Sequence, residues 1–337
     1  AIWRALKLPP HWVSTQGMFL RGRCLPFVFA AGLLAATSLP SAAQAADDFD
    51  ALKLPDLSGY ASGKSEAPLA TGTGAEVTLS AQLVENGEDI TRGIVWRVFK
   101  PDPGSDGKLP LIASARGGTA VVSLDPGSYL VHAAYGRAGA TKRITVGREA
   151  KRESLVLDAG GLELDAVLSG GRRIPPDKLR FSIYEVEAGT DGEHALIIPN
   201  VQPNSVVRLN AGTYHVVSTY GAVNAVIRSD IRVEAGKLTE ATVEHHAAEV
   251  TLKLVREAGG EAIADTSWSV LNESGDPIKE MVGAYAPMVL AEGDYTVIAK
   301  NRDRIYQKDF TVDAGRNAEV EVLASEASSI DNSDGAD

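Results

Sequence analysis

A six-residue pattern, Leu-x-x-Gly-x-Tyr, occurs three times in this chain: Leu124-Asp125-Pro126-Gly127-Ser128-Tyr129, Leu209-Asn210-Ala211-Gly212-Thr213-Tyr214 and Leu290-Ala291-Glu292-Gly293-Asp294-Tyr295. The tyrosines are 85 and then 81 residues apart. A period of that length over three copies marks a row of similar domains. Each copy reads as a turn feeding a strand. Glycine suits the corner because it takes a positive φ or lets another backbone come close. Beyond it, alternate residues share a face: Tyr129, Val131, Ala133 and Tyr135, then Tyr214, Val216, Ser218 and Tyr220, then Tyr295, Val297, Ala299 and Asn301. Apolarity at period two predicts a half-buried strand.

A tyrosine two residues after a turn glycine resembles the tyrosine corner of immunoglobulin-like sandwiches, where the ring packs and the hydroxyl bonds nearby backbone. The same rings could instead form a ligand-stacking face, but the corner role accounts for the pattern. A second aromatic recurs upstream of each corner, on an expected central strand: Trp96, Phe181 and Trp268. Each would fill the space between two sheets, burying roughly 150–250 Å².

The chain divides along these repeats. Residues 1–17 carry no pattern and read as upstream translation. Met18 opens a positive segment with Arg21 and Arg23, followed by an apolar run from Leu25 to Leu39 and the small residues Ser41-Ala42-Ala43-Gln44-Ala45. Residues 18–45 are therefore expected to be a cleaved secretory signal peptide, with a run too short to span a bilayer, for which about 20 residues are needed. Residues 46–74 read as a flexible linker. Three β-sandwiches are expected at 75–159, 160–247 and 248–325, with a disordered acidic tail at 326–337. Cys24 falls within the signal, so the mature chain would have no disulfide.

Leu-x-x-Gly-x-Tyr-x-Val closing a small sandwich resembles the prealbumin-like and carboxypeptidase-regulatory-like families and the collagen-adhesin B-type repeats of exported bacterial proteins. The likeness covers residues 75–325. It implies an all-β fold of three tandem immunoglobulin-like domains, and a stalk, adhesion or carbohydrate-binding role. Some B-type repeats carry a Lys–Asn isopeptide bond, but no Lys, Asn and acidic set recurs at equivalent positions here.

The net charge of −11 would fall to −15 on removal of residues 1–45, with 29 Lys and Arg against 44 Asp and Glu. Such a surface argues against nucleic acid or an anionic membrane as partner. No nucleophile-elbow, phosphate-loop or zinc-protease motif is present, and no cofactor or metal is expected. Asp331-Asn332-Ser333-Asp334-Gly335 departs from a calcium loop in its glycine position and lacks the distal Glu. His245-His246 is the one histidine cluster. On a strand its two rings would point to opposite faces, so a solvated strand end or inter-domain loop is expected there.

The turns at Asp106-Gly107, Asp191-Gly192 and Gly275-Asp276 fall at the same end of each repeat and are the candidate binding loops. The expectation is a non-enzymatic protein, periplasmic or extracellular, that binds an envelope protein or polysaccharide or serves as a structural module. The alternatives are a carbohydrate-binding accessory protein and an enzyme with an unrecognised site.

Overall fold

The computed structural model describes residues 74–325. The expected signal peptide, all but the last residue of the expected linker, and the acidic tail lie outside the described residues, as do Cys24 and the Asp331–Gly335 segment. Among the described residues there is no helix, and so none long and apolar enough to cross a membrane.

The first sandwich contains β1 (Ala75–Gln82), β2 (Ile94–Phe99), β3 (Leu111–Gly117), β4 (Ala120–Leu124), β5 (Gly127–Tyr135), β6 (Ala138–Val146) and β7 (Lys151–Val156). A three-stranded sheet of order β4-β1-β7 faces a four-stranded sheet of order β3-β2-β5-β6. The first and last strands run parallel, and the other pairs are antiparallel. Every second residue points inward, as the alternating sequence requires. Val77, Leu79 and Ala81 on β1 therefore meet Ile94, Trp96 and Val98 on β2 and Tyr129, Val131 and Ala133 on β5 in one core.

The second sandwich repeats this plan with β8 (Ala159–Leu168), a two-residue β9 (Arg172–Arg173), β10 (Leu179–Ala188), β11 (His194–Val201), β12 (Val206–Asn210), β13 (Gly212–Tyr220), β14 (Val226–Val233) and β15 (Leu238–His245). Its sheets have the orders β12-β8-β15 and β11-β10-β13-β14. The third has β16 (Ala247–Val255), β17 (Thr266–Leu271), β18 (Pro277–Val282), β19 (Tyr285–Ala291), β20 (Gly293–Asn301), β21 (Arg304–Val312) and β22 (Ala318–Leu323), ordered β19-β16-β22 and β18-β17-β20-β21. All three are the immunoglobulin-like, prealbumin-like sandwich that the repeat implies.

Leu-x-x-Gly-x-Tyr is the place where each chain crosses from one sheet to the other. Leu124, Leu209 and Leu290 are buried in the strand before the crossing. The tyrosine then turns back over it. Tyr129 Oη donates to the Asp125 carbonyl, Tyr214 Oη to that of Asn210 and Tyr295 Oη to that of Ala291, each at 2.9 Å. Burial pushes all three phenol pKa values up, so the hydroxyls remain protonated donors. The glycine is less uniform than the pattern suggests. Gly293 has a φ of 146°, but Gly127 has no positive φ, and a Cβ there would meet the Tyr129 ring at an ordinary 3.7 Å.

Trp96, Phe181 and Trp268 all lie between the sheets, at most 2% exposed. The two indoles need an acceptor once buried. Trp96 Nε1 finds the Gly118 carbonyl at 2.7 Å and Trp268 Nε1 that of Gly283 at 2.8 Å. The phenyl ring of Phe181 needs no acceptor.

Candidate functional site

The three candidate loops share one construction. In the first, Gly104 N–H donates to the Lys108 carbonyl, Gly107 N–H to the Gly104 carbonyl, and Lys108 N–H to the Asp106 carboxylate. The second repeats all three bonds with Gly189, Asp191, Gly192 and Glu193. In the third, the Asn272 side chain caps the Asp276 N–H, while Gly275 N–H donates to the Asn272 carbonyl. Gly107, Gly192 and Gly275 have φ of 74°, 81° and 84°, the left-handed conformation these turns need. The carboxylates of Asp106 and Asp191 thus hold their own turns. The register places each loop beside the tyrosine corner of its own sandwich, since Phe99 pairs with Leu130, Glu185 with Tyr214 and Leu271 with Thr296.

That corner end is also where the preceding sandwich docks. The two-residue turn between β5 and β6 meets the corner of the second sandwich. Gly136 lies so close that a Cβ would stand 2.9 Å from Cβ of Arg208. Arg137 N–H donates to the Arg208 carbonyl at 3.0 Å, and the Arg208 guanidinium covers the Tyr135 ring at 4.5 Å. The Asn210 carboxamide accepts from Gly139 N–H at 3.1 Å, and its Nδ2 donates to the Gly139 and Leu157 carbonyls at 3.2 and 2.6 Å.

The second junction uses the same two elements. The turn between β13 and β14 carries Asn224, which accepts from Ala291 N–H at 3.0 Å and donates to Tyr295 Oη at 2.8 Å. Gly221 presses on Val289, a third-sandwich residue buried in the second core. Lys178 and Tyr220 both reach Glu249, at 2.8 and 3.1 Å, and Arg172 bonds the Gly315 carbonyl.

Of the adjacent histidines, His246 meets the expectation of a solvated inter-domain position and His245 does not. His246 is exposed, beside Glu292 and Ser169. His245 points the other way, as strand alternation requires, but its face is the core: it is 1% exposed and is not a solvated strand end. Its ring packs edge-on against Tyr220, and burial, followed by the neighbouring His246, lowers its pKa to about 4. His245 Nε2 lies 2.8 Å from Ser218 Oγ, a nucleophile–base separation. Ser218 is also 1% exposed, so no substrate reaches the pair.

The fold also pairs His194 with His215, which the sequence separates. Their rings stack at 4.3 Å and 8° on the outer face of the second sandwich. The Nδ1–H groups donate to the Glu185 carbonyl and the Asp230 carboxylate, at 2.9 and 2.8 Å. Two parallel imidazole planes share no point at which both Nε2 lone pairs would meet one ion. Among the described residues, no group of three or more His, Cys, Asp or Glu side chains is arranged to hold a metal. No sequence signal marks this pair: β11 and β13 flank β10, and the two side chains meet across it, His194 bonded to the Glu185 carbonyl and His215 in register with Tyr184.

Strand order and corner together define the class: a tandem array of prealbumin-like, immunoglobulin-like sandwiches. Residues 249–324, within the third sandwich, match the model of the Rhizobiales growth-associated tandem repeat domain. A search of the curated proteins finds no match. Among solved structures, the chain is similar to the TIE protein of Bacillus anthracis at 17% identity, over 75% of this chain and 50% of that one, with a TM-score of 0.23. It spans half the length of that structure. A streptococcal ancillary pilin matches at 13% identity over 74% and 98% of the two chains, with a TM-score of 0.27. The minor pilin of Streptococcus agalactiae matches at 14% identity over 51% and 95%, with a TM-score of 0.28. Scores this low carry no argument about function, and the assignment of class rests on the strand order.

Proposed function

We propose that this chain is an exported, non-enzymatic module of the cell envelope that binds or spaces other envelope components, in the periplasm or outside the cell. The observation that carries this reading is the repeated junction. Both junctions set a glycine-bearing hairpin loop against the next tyrosine corner, and each is tied by one asparagine carboxamide. Polar side chains invested in fixing the orientation of successive sandwiches suit a scaffold that presents its outer faces. The pattern of residues 18–45 supports export. The match of the third sandwich to a growth-associated tandem repeat supports a role connected with growth.

The test is co-sedimentation of the protein with peptidoglycan, outer-membrane vesicles and surface polysaccharide at increasing salt. Pelleting with one fraction is the expected result. Pelleting with none would overturn the binding role and leave that of a spacer.

A further inference from the structure

An acidic chain carries one sheet with no acid in it. β2, β3, β5 and β6 contain no Asp or Glu, whereas the equivalent sheets contain Glu185, Glu187 and Asp230 in the second sandwich and Glu280, Asp294 and Asp309 in the third. The asymmetry extends to whole sandwiches. Residues 74–158 carry 11 Lys and Arg against 10 Asp and Glu, while residues 247–325 carry 8 against 14. Net charge conceals this local reversal.

The register places the basic residues on the outer face. Arg97 stands beside Ser114 and His132, and His132 beside Thr141, in one row across the sheet. Arg116 lies opposite Val95 in the adjacent row, and Arg143 opposite Leu130 on the far side. Arg97 and Arg116 form no ion pair with a carboxylate among the described residues. His132 responds to that field: burial lowers its pKa first, and the Arg97 charge lowers it further. Its Nδ1 lies 2.9 Å from Thr141 Oγ1. Successive strands are about 4.8 Å apart, a spacing comparable with the length of one sugar ring.

We propose that this face binds a carboxylate-bearing polysaccharide strand laid across the sheet, with Arg97 and Arg116 meeting its carboxylates and Ser114 and Thr141 its hydroxyls. Guanidinium forks match carboxylates bidentately. The proposal rests on the envelope-module reading and names the ligand class. A polysaccharide is favoured over an anionic membrane because Leu111 is the one large apolar side chain exposed on these four strands, and a single side chain offers little to insert. It is favoured over nucleic acid because no exposed aromatic lies on the face for bases to stack on.

The probe is alginate, a polyuronate, with neutral dextran as control, in affinity electrophoresis and calorimetry. The protein is expected to bind alginate, with affinity falling as salt rises, and not to bind dextran. Arg97→Gln with Arg116→Gln is expected to weaken binding at least tenfold, with circular dichroism confirming the fold. Arg228→Gln with Arg232→Gln, on the second sandwich, is expected to change it less than twofold. Absent alginate binding, equal loss in both double variants, or equal binding to dextran would overturn the proposal. So would tighter binding to anionic phosphatidylglycerol vesicles, or concentration-dependent self-association that Arg97→Gln with Arg116→Gln abolishes. If the protein pellets with an envelope fraction and this variant pellets equally well, the envelope role stands and the face is not its site.

Discussion

Asn224 and Tyr295 belong to different sandwiches, and the carboxamide of the first donates to the phenol oxygen of the second at 2.8 Å. The same phenol donates to the Ala291 carbonyl, and the same carboxamide accepts from the Ala291 N–H. A corner that stabilises one sandwich from within therefore also receives its neighbour. Asn224→Ala would leave the Ala291 N–H without its partner at the junction. We expect a loss of about 1–3 kcal/mol, read as a lower urea midpoint and faster proteolysis between the second and third sandwiches.

Tyrosine-to-phenylalanine changes separate the two roles of the corner. Tyr129→Phe and Tyr214→Phe each remove one hydroxyl bond and should cost about 1 kcal/mol. Tyr295→Phe removes two and should cost more. Denaturant titration of the three variants ranks them, and equal losses would contradict the double role of Tyr295.

The turn glycines make a contrasting set. Gly221 has a φ of 74°, and a Cβ there would stand 2.6 Å from Cβ of Val289. Gly221→Ala combines backbone strain with a clash and should cost about 1–3 kcal/mol. Gly127→Ala meets neither obstacle and should change stability by less than about 0.5 kcal/mol. Thermal unfolding of the two variants tests the difference.

Acid should loosen the second sandwich first. The pKa of His245 is about 4 in the folded chain against 6.5 when free. Its contribution is therefore complete above pH 6.5 and is lost as pH falls toward 4, by up to about 3 kcal/mol. Glu153, on β7 of the first sandwich, responds at lower pH. Burial raises its pKa, but hydrogen bonds and charges from Lys142 and Lys151 outweigh burial and hold it below the usual value. Its share is present above the unfolded carboxylate pKa and is lost below it. Urea midpoints at pH 7 and 5 should differ, and His245→Gln should reduce that difference.

The repeated unit is written locally in the chain. Alternating apolar residues name the inward face of each strand, and Leu-x-x-Gly-x-Tyr names the crossing between sheets, because both signals lie within a few residues of chain. Trp96, Phe181 and Trp268 were legible as core for the same reason. What the outer and end faces do depends instead on contacts between distant segments. Asn210 meets Gly139, and Asn224 meets Tyr295, each across 71 residues of chain, a separation over which no local pattern operates. His245 looked like a solvated strand end because alternation says that two neighbours diverge without saying which one meets the core. The basic face of the first sandwich was hidden in an acidic composition, since a total charge is a sum over the chain, whereas a binding face depends on which strands the fold sets side by side.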